Sequence, residues 1–316
     1  MKLKDIYELT IQMGKDADPR EQFQIDKLLA DNKKALDELK ENEKDEFDQE
    51  KLMNPYSDTR VLYGDVESEV NRLLVGIDID GSEMLLADKL GEKGQPIDLV
   101  IAHHPEGKAM AKLHEVMHLQ EDILHKMGVP INVAEGILAS RISEVGRGLM
   151  PINHNRAVDF AKILNISLMC CHTPADNVVT EFLNKLFEEK KPETVGEIVE
   201  ILKEIPEYKE AIQIGAGPKI VVGSKKKRAG KILVDMTGGT SGSEDAYAKL
   251  SQAGVGTIVG MHMGEKHRKE AEKNHINVII AGHLASDSLG MNLILDKLAA
   301  QGVDIITCSG MIRVTR

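Results

Sequence analysis

Two adjacent histidines follow an apolar run in the segment DLVIAHHPEG. His103 and His104 stand at the end of this predicted strand, and Pro105 comes next. Neighbouring side chains of an ideal strand point to opposite faces, so the pair cannot bind one ion while the strand continues. Pro105 ends the strand, and the two imidazoles then leave it at different angles. The doublet favours two metal ions side by side, although histidines at strand ends also serve as simple hydrogen-bonding groups.

A histidine and an aspartate four residues apart occur twice. In AGHLASD a helix is predicted to begin near His283, which places His283 and Asp287 on one helical face. This spacing is typical of helical zinc motifs, and Asp287 is suited to bridge two ions. The alternative role of Asp287 is to stabilise the helix N-terminus. In CCHTPAD, we interpret Asp176 as a metal ligand and His172 as a catalytic or hydrogen-bonding residue.

Together these residues form a mixed set of nitrogen and oxygen ligands. Such a set suits Zn, Fe, Mn or Co, whereas Cys170 and Cys171 are interpreted as small buried hydrophobic residues. Two divalent transition-metal ions about 3.5 to 4 Å apart would activate a water and neutralise an oxyanion or a phosphate. The predicted metal ligands are His103, His104, Asp176, His283 and Asp287.

Two weaker signals accompany this set. The segment TGGTSGSED contains Gly238, Gly239 and Ser241, whose free amides could hold a phosphate-bearing cofactor or substrate. A plain turn, with Ser241 or Ser243 capping the next helix, stays open as the alternative. His262, in GMHMGEKH, is a candidate general acid or base, or else a hydrogen-bonded histidine at a strand end.

The elements that position these residues alternate between strands and helices. RLLVGIDID, GSEMLLADKLGEKG and IDLVIAHHP form a strand, a helix and a strand, and a second such series runs from GKILVDM to VDIITCSG. VPINVAEG is interpreted as a short strand. The pattern predicts an α/β protein with mostly parallel or mixed sheets flanked by helices, in which ligands gather at the carboxyl ends of the strands.

Three parts of the chain differ in their pattern of apolar and charged residues. Residues 1–56 are predicted to form a helical extension that packs on the body or on a neighbouring subunit. Residues 57–218 form a first α/β lobe, with a charged helical segment at 177–218, and residues 219–316 form a second lobe.

Composition limits the partners and the compartment. The net charge of −11 argues against broad phosphate neutralisation, so no direct nucleic-acid binding is expected, and KKKR at 225–228 is interpreted as a solvated turn between two strands. Three cysteines do not make a disulfide framework, which favours a reducing cytoplasm. No segment is long and apolar enough to be a signal core or a membrane span, so no membrane association is expected.

The motifs LLVGIDID, DLVIAHHP, CCHTPAD, GGTSGS and AGHLASD, in that order, resemble those of the NGG-one-interacting-factor-three-like family. This family is also described as dinuclear metal centre proteins, or as GTP cyclohydrolase type I, type 2-like. The resemblance covers the chain from about Val61 onward. It implies two α/β lobes with a dinuclear site in the cleft between them, toroidal hexamers built from dimers, and the five metal ligands named above.

The chain departs from the family pattern in three places. Asp287 stands where the family usually has glutamate, which is one methylene longer. PEGKAM follows the histidine doublet in place of large apolar residues, so Glu106 and Lys108 are expected to face the pocket. The acidic N-terminal extension is also outside the usual pattern.

Three hypotheses about function follow. The first is a metal-dependent hydrolase acting on a nucleotide-like or phosphorylated small molecule. The second is a non-catalytic metal-binding protein that regulates or scaffolds through protein partners. In the third, the histidines are incidental. The identity of the substrate stays open.

Overall fold

Short aliphatic runs form the strands of two mixed β-sheets in the computed structural model, which describes residues 1–316. Helices flank both sheets, and the predicted α/β class is confirmed. The strands are β1 Arg60–Tyr63, β2 Arg72–Gly76, β3 Leu99–Ala102, β4 Ser167–Cys170, β5 Lys219–Val222, β6 Lys231–Asp235, β7 Val255–Gly260, β8 Asn277–Ile280 and β9 Asp304–Cys308.

The α-helices connect the strands and cover the sheets. Short 3₁₀ turns occur at Lys44–Glu46, Gln49–Leu52 and Leu113–His118. The helices are α1 Leu3–Asp16, α2 Gln22–Glu38, α3 Gly81–Glu92, α4 Gly107–Ala111, α5 Leu119–Lys126, α6 Ile131–Leu149, α7 Arg156–Leu164, α8 Thr173–Lys190, α9 Val195–Glu204, α10 Pro206–Gln213, α11 Ala246–Gln252, α12 Glu265–Lys273 and α13 His283–Ala299. None of them combines the length and apolar character that crossing a lipid bilayer requires.

The two sheets repeat one strand order. The first runs β1-β4-β3-β2-β9 and the second runs β5-β8-β7-β6. Four strands of the first sheet and three of the second are parallel, and an antiparallel strand, β1 or β5, lies at one edge of each. Because parallel strands end at the same edge, the residues that follow β3 and β4, or β7 and β8, leave the sheet side by side.

The last strand departs from the expected order. The sequence series placed VDIITCSG with the second lobe, whereas β9 pairs in parallel with β2 of the first sheet, for example Val75 with Thr307. The helix before it, α13, carries Met291, Ile294, Leu295 and Leu298 into the core that surrounds β2. The chain therefore returns to the first lobe to bury this apolar face, and residues 219–316 do not all belong to the second sheet.

The short strand predicted at VPINVAEG is wrong. Pro130 stands at the N-cap of α6, and the helix buries Ala134, Leu138 and Ile142 at four-residue spacing. A short apolar run does not distinguish a strand from the first turns of a helix. Helices α5 and α6 pack against the second sheet, where Leu138 shares a core with Leu233. This helical pair forms one wall of the cavity described below.

The N-terminal extension packs on the body of the protein. Leu3, Ile6, Tyr7 and Ile11 of α1 are buried in the same core as Leu73 of β2. The segment KKKR lies in the turn between β5 and β6, as predicted. The three cysteines are free, and both Cys170 and Cys171 are buried, in agreement with a hydrophobic role.

Helices α8 and α13 cross at very short range. A Cβ added to Gly290 would lie 2.2 Å from the carbonyl oxygen of Ala175. Gly290→Ala is therefore expected to push the helices apart and to lower the free energy of unfolding by about 1–3 kcal/mol. Because Asp176 and Asp287 stand on these two helices, metal affinity should fall as well. Urea unfolding and metal titration check both effects.

Gly136→Ala in α6 is the matched control. No atom outside its own helix lies within 4 Å of the added Cβ, so this change should stabilise the protein by about 0.4–1 kcal/mol. Equal effects of the two substitutions would contradict the close crossing of α8 and α13.

Candidate metal centre

Four histidines from the carboxyl ends of three strands meet between the two sheets. His103 and His104 follow β3, His172 follows β4, and His283 begins the helix after β8. The ring centroids of His103 and His104 lie 5.2 Å apart, those of His103 and His172 5.0 Å, and those of His104 and His283 5.4 Å. Each lobe therefore contributes imidazoles to one cluster.

Two aspartates lie among these rings. Nε2 of His103 lies 3.6 Å from Oδ1 of Asp176 and 3.5 Å from Oδ1 of Asp287. The other oxygen of Asp287, Oδ2, lies 3.7 Å from Nε2 of His104 and 3.6 Å from Nε2 of His283. Asp287 thus presents one oxygen to His103 and the other to His104 and His283.

The histidine rings are oriented by bonds on their far sides. Nδ1 of His103 lies 3.0 Å from the carbonyl oxygen of Cys171, and Nδ1 of His104 lies 2.7 Å from a carboxylate oxygen of Asp78. Nδ1 of His172 lies 2.7 Å from Asp58. A proton on each Nδ1 leaves the Nε2 lone pair directed at the centre, which is the arrangement that metal-binding histidines use.

The donor atoms lack partners within the protein. Nε2 of His103, Oδ1 of Asp176 and both carboxylate oxygens of Asp287 are buried without a hydrogen bond. Their separations are too long for hydrogen bonds. They match the roughly 3.3–3.6 Å between donors that surround one tetrahedral ion at about 2.0–2.2 Å. Since buried unpaired polar atoms are costly, this donor set fits bound cations.

The protonation states of the cluster agree with that fit. Burial and the neighbouring His103 lower the pKa of His104 to about 4, and burial also lowers the pKa of His283. Neutral imidazoles are the form that binds metals. Burial opposes ionisation of Asp287, but the facing imidazoles lower its pKa below the ordinary value. Burial, reinforced by Asp287, raises the pKa of Asp176 well above it, so a cation would be needed to keep both carboxylates ionised.

The cluster contains overlapping groups that could hold metal ions. Within each group the ligand atoms lie within 4.8 Å of one another. The structure thereby brings together all five residues predicted as ligands, and His172 joins them. The groups are His103, Asp176 and Asp287; His104, His283 and Asp287; and His103, His104 and His172.

A NIF3 superfamily protein from Sphaerobacter thermophilus has a similar structure, with a TM-score of 0.70 and 26% sequence identity, covering 80% of this chain and 91% of that chain. This similarity confirms the predicted resemblance to the NIF3-like family. Reduced HcgD from Methanocaldococcus jannaschii shares the fold at a TM-score of 0.51 and 17% identity, covering 78% of this chain and 87% of that chain. No protein-family sequence model matches the chain, and no curated protein sequence matches it.

Asp58 is a residue of this NIF3-like site that sequence reasoning missed. It is fully buried before β1, where its carboxylate accepts hydrogen bonds from His172 and from the hydroxyl of Thr173 at 2.6 Å. Asp58 and His172 are 114 residues apart in the chain. No local pattern marks Asp58, because only the antiparallel pairing of β1 with β4 brings it to the cluster.

A cavity of about 370 Å³ opens beside the cluster of the NIF3-like protein. His104, His172 and His283 reach it from the metal side, and Glu106 also lines it. Burial raises the pKa of Glu106 to about 7. Lys108, which was expected to face the pocket, instead forms an ion pair with Glu50 of the N-terminal extension.

The Gly-rich loop after β6 also lines this cavity, with Gly239 and Ser241 among the lining residues but not Gly238. Gly238 and Gly239 have φ angles of 99° and 85°, which side chains with a Cβ rarely adopt. Ser241 does not cap α11, and its hydroxyl lies 3.4 Å from Nδ1 of His262. Ser243 accepts a hydrogen bond from the amide of Asp245 and does not cap the helix either.

Side chains of α5 and α6 bind the carbonyl groups of this loop. The side-chain amide of Gln120 donates to the carbonyl oxygen of Gly238 at 2.6 Å, and Nε of Arg141 donates to that of Ser241 at 3.0 Å. None of the backbone amides of residues 237–243 donates to an acceptor within the protein. The loop therefore keeps a set of free N–H donors, as in anion-binding loops.

His262 lies at the junction of the loop and the metal ligands. It follows β7, lines the cavity, and its ring centroid lies 5.1 Å from that of His283. The sequence singled it out as a candidate acid or base, and the geometry brings it next to a predicted ligand. Its position permits proton transfer to a molecule in the cavity.

Proposed function

We propose that this NIF3-like protein is a dinuclear metal-dependent hydrolase acting on a phosphorylated or nucleotide-like small molecule. The observation that carries the proposal is the placement of Asp287, whose two unpartnered oxygens face His103 on one side and His104 with His283 on the other. A carboxylate so placed is suited to bridge two ions. The cavity beside it provides room for a small substrate.

The proposed ions are Zn, Fe, Mn or Co, which suit mixed imidazole and carboxylate ligands. When bound, they would supply activation of a water and neutralisation of an oxyanion or phosphate. His103, His104, Asp176, His283 and Asp287 would hold them. Asp58 keeps His172 oriented toward the same position through its bond to Nδ1.

Residues on the other side of the cavity would bind and orient the substrate. The free amides of the Gly-rich loop, including those of Gly238, Gly239 and Ser241, suit an anionic group such as a phosphate. His262, between this loop and His283, would give a proton to the leaving group or take one from the attacking water. An anionic substrate would then lie between the loop and the residues that hold the metal ions.

A second candidate is a metal-stabilised scaffold without catalysis. The burial of His103, Asp176 and Asp287 favours it, since an ion held by these residues would strengthen the junction of the two lobes in any case. A homohexamer belongs to either proposal through the family resemblance, and a cytoplasmic location through the three free cysteines. Light scattering on the eluting peak of a sizing column tests the hexamer.

Elemental analysis and a substrate screen separate the candidates. Protein purified without a histidine tag should contain about two transition-metal ions per chain. The metal-replete protein is then tested against nucleotides and phosphoesters, and turnover should disappear in His103→Ala but not in His118→Ala, whose side chain is exposed at 62%. Bound metal without turnover of any class would favour the scaffold, and less than one ion per chain would refute both.

A further inference from the structure

The cavity extends away from the metal ligands into a recess beside the second sheet. Its walls include Leu138, Leu233, Leu250 and Ile258, which are contributed by α6, β6, α11 and β7. One acidic residue, Asp235, lies among these apolar side chains at the carboxyl end of β6. An acid in an apolar recess is the kind of polar group that determines which ligand a pocket accepts.

The carboxylate of Asp235 is open to the cavity and takes part in no hydrogen bond or ion pair. Three donors near it face other groups. Thr237 donates to Asn177 at 2.6 Å, Nδ1 of His262 faces Ser241, and Nε2 of His267 lies 3.1 Å from the carbonyl oxygen of Gly242. Enclosure by the protein raises the pKa of Asp235, against the attraction of His262 and His267. The fold therefore leaves an acceptor without a donor at this point.

We infer that Asp235 binds a nitrogenous group of the ligand that carries several N–H bonds, such as an amidine, a guanidine or the N–H edge of a purine-like ring. An ionised carboxylate only accepts hydrogen bonds, and two parallel N–H donors match its two oxygens. Tyr247 also lines the recess, and an aromatic ring attracts a cation that lies against its face. A free metal ion fits less well, because the walls here are apolar.

This assignment rests on the proposed function and adds the chemical class of a second group of the ligand. A ligand with an anionic end at the Gly-rich loop and the metal ligands would place its nitrogenous end at Asp235. His262 lies between the two ends, since it neighbours His283 and also attracts the Asp235 carboxylate. Two recognition elements of opposite sign would therefore determine the direction in which the ligand enters.

Benzamidine, a flat amidinium on an apolar ring, is the probe, and the neutral benzamide is its isostere. Calorimetry on the metal-loaded protein should find that benzamidine binds and that benzamide binds more weakly. Asp235→Asn, which keeps the shape and removes the charge, should weaken benzamidine about 10- to 100-fold. Asp245→Asn, the same change at an exposed position near the loop, should leave it unchanged.

A second measurement does not depend on the variants. Imidazole NMR signals of His262 and His267 in the unsubstituted protein should shift on adding benzamidine. Unchanged signals, or equal affinities for benzamidine and benzamide, would overturn the assignment, as would undiminished binding by Asp235→Asn. The readout needs no turnover, so a protein that binds benzamidine but hydrolyses nothing counts against the hydrolase proposal alone.

Discussion

Asparagine in place of Asp287 is expected to remove both metal ions from the protein. One oxygen of Asp287 faces His103 and the other faces His104 and His283, so a neutral amide weakens both groups at once. The loss of affinity should exceed the about 10- to 100-fold typical of a residue that only orients a ligand. Elemental analysis of untagged protein, followed by competition with a chelator, measures it. Any hydrolysis should be lost in parallel.

Two further variants are expected to lose less metal than Asp287→Asn does. Asp176 belongs to only one of the three groups, that of His103, Asp176 and Asp287, so Asp176→Asn should release one ion more readily than the other. Asp78→Asn removes the hydrogen bond to Nδ1 of His104 and leaves every ligand in place, so its effect should fall within the range for orienting residues. If Asp287→Asn kept as much metal as Asp78→Asn, Asp287 would not be a bridging ligand.

The residues of the candidate metal centre could be brought together from the sequence because a parallel sheet makes distant segments meet. His103, His283 and Asp287 each follow an apolar run, and such runs end at one edge of their sheet. The four-residue spacing of His283 and Asp287 then defines a shared helical face. Both inferences use local patterns of sequence, and the side chains that they bring together lie close to one another in the structure.

Other parts of the site depend on pairings that no local pattern specifies. Asp58 reaches His172 only because β1 pairs antiparallel with β4, and the sequence contains no signal for that partner. Asp235 ends a strand, but its lack of a donor appears only when the directions of Thr237, His262 and His267 are known. The direction of a polar side chain and its hydrogen-bond partners are determined by the packing of the whole chain.

The same distinction applies to the fold. The alternation of strands and helices predicts the α/β class. It does not predict that β9 returns to the first sheet, where it pairs with the edge of β2. The sequence predicts that the N-terminal extension is helical and packs on the body or on a neighbouring subunit, but not which core receives it. The pairing of charges between the N-terminal extension and the first lobe is equally hidden in the sequence, and it leads to a further prediction.

Removal of the Arg60 guanidinium is expected to destabilise the first lobe strongly. Arg60 is only 1% exposed, its NH2 group lies 3.1 Å from Asp48, and its Nε lies 3.8 Å from Glu50. Arg60→Met would leave both partly buried acids facing an apolar side chain. Breaking a buried ion pair on one side costs about 3–5 kcal/mol. The lower end applies here, because Lys112 still pairs with Asp48.

Urea unfolding of Arg60→Met measures this loss, with Arg147→Met, at an exposed position of α6, as the control expected to change stability by less than about 0.5 kcal/mol. The effect should also reach the metal centre, since Arg60 donates to the carbonyl oxygen of Thr59 at 2.8 Å and thereby supports the turn that holds Asp58. Metal content should fall along with stability. Equal unfolding curves for the two variants would contradict this prediction. The contacts of Tyr7 and Tyr56 would then be sufficient to fix the N-terminal extension, and Asp48 and Glu50 would be solvated without Arg60.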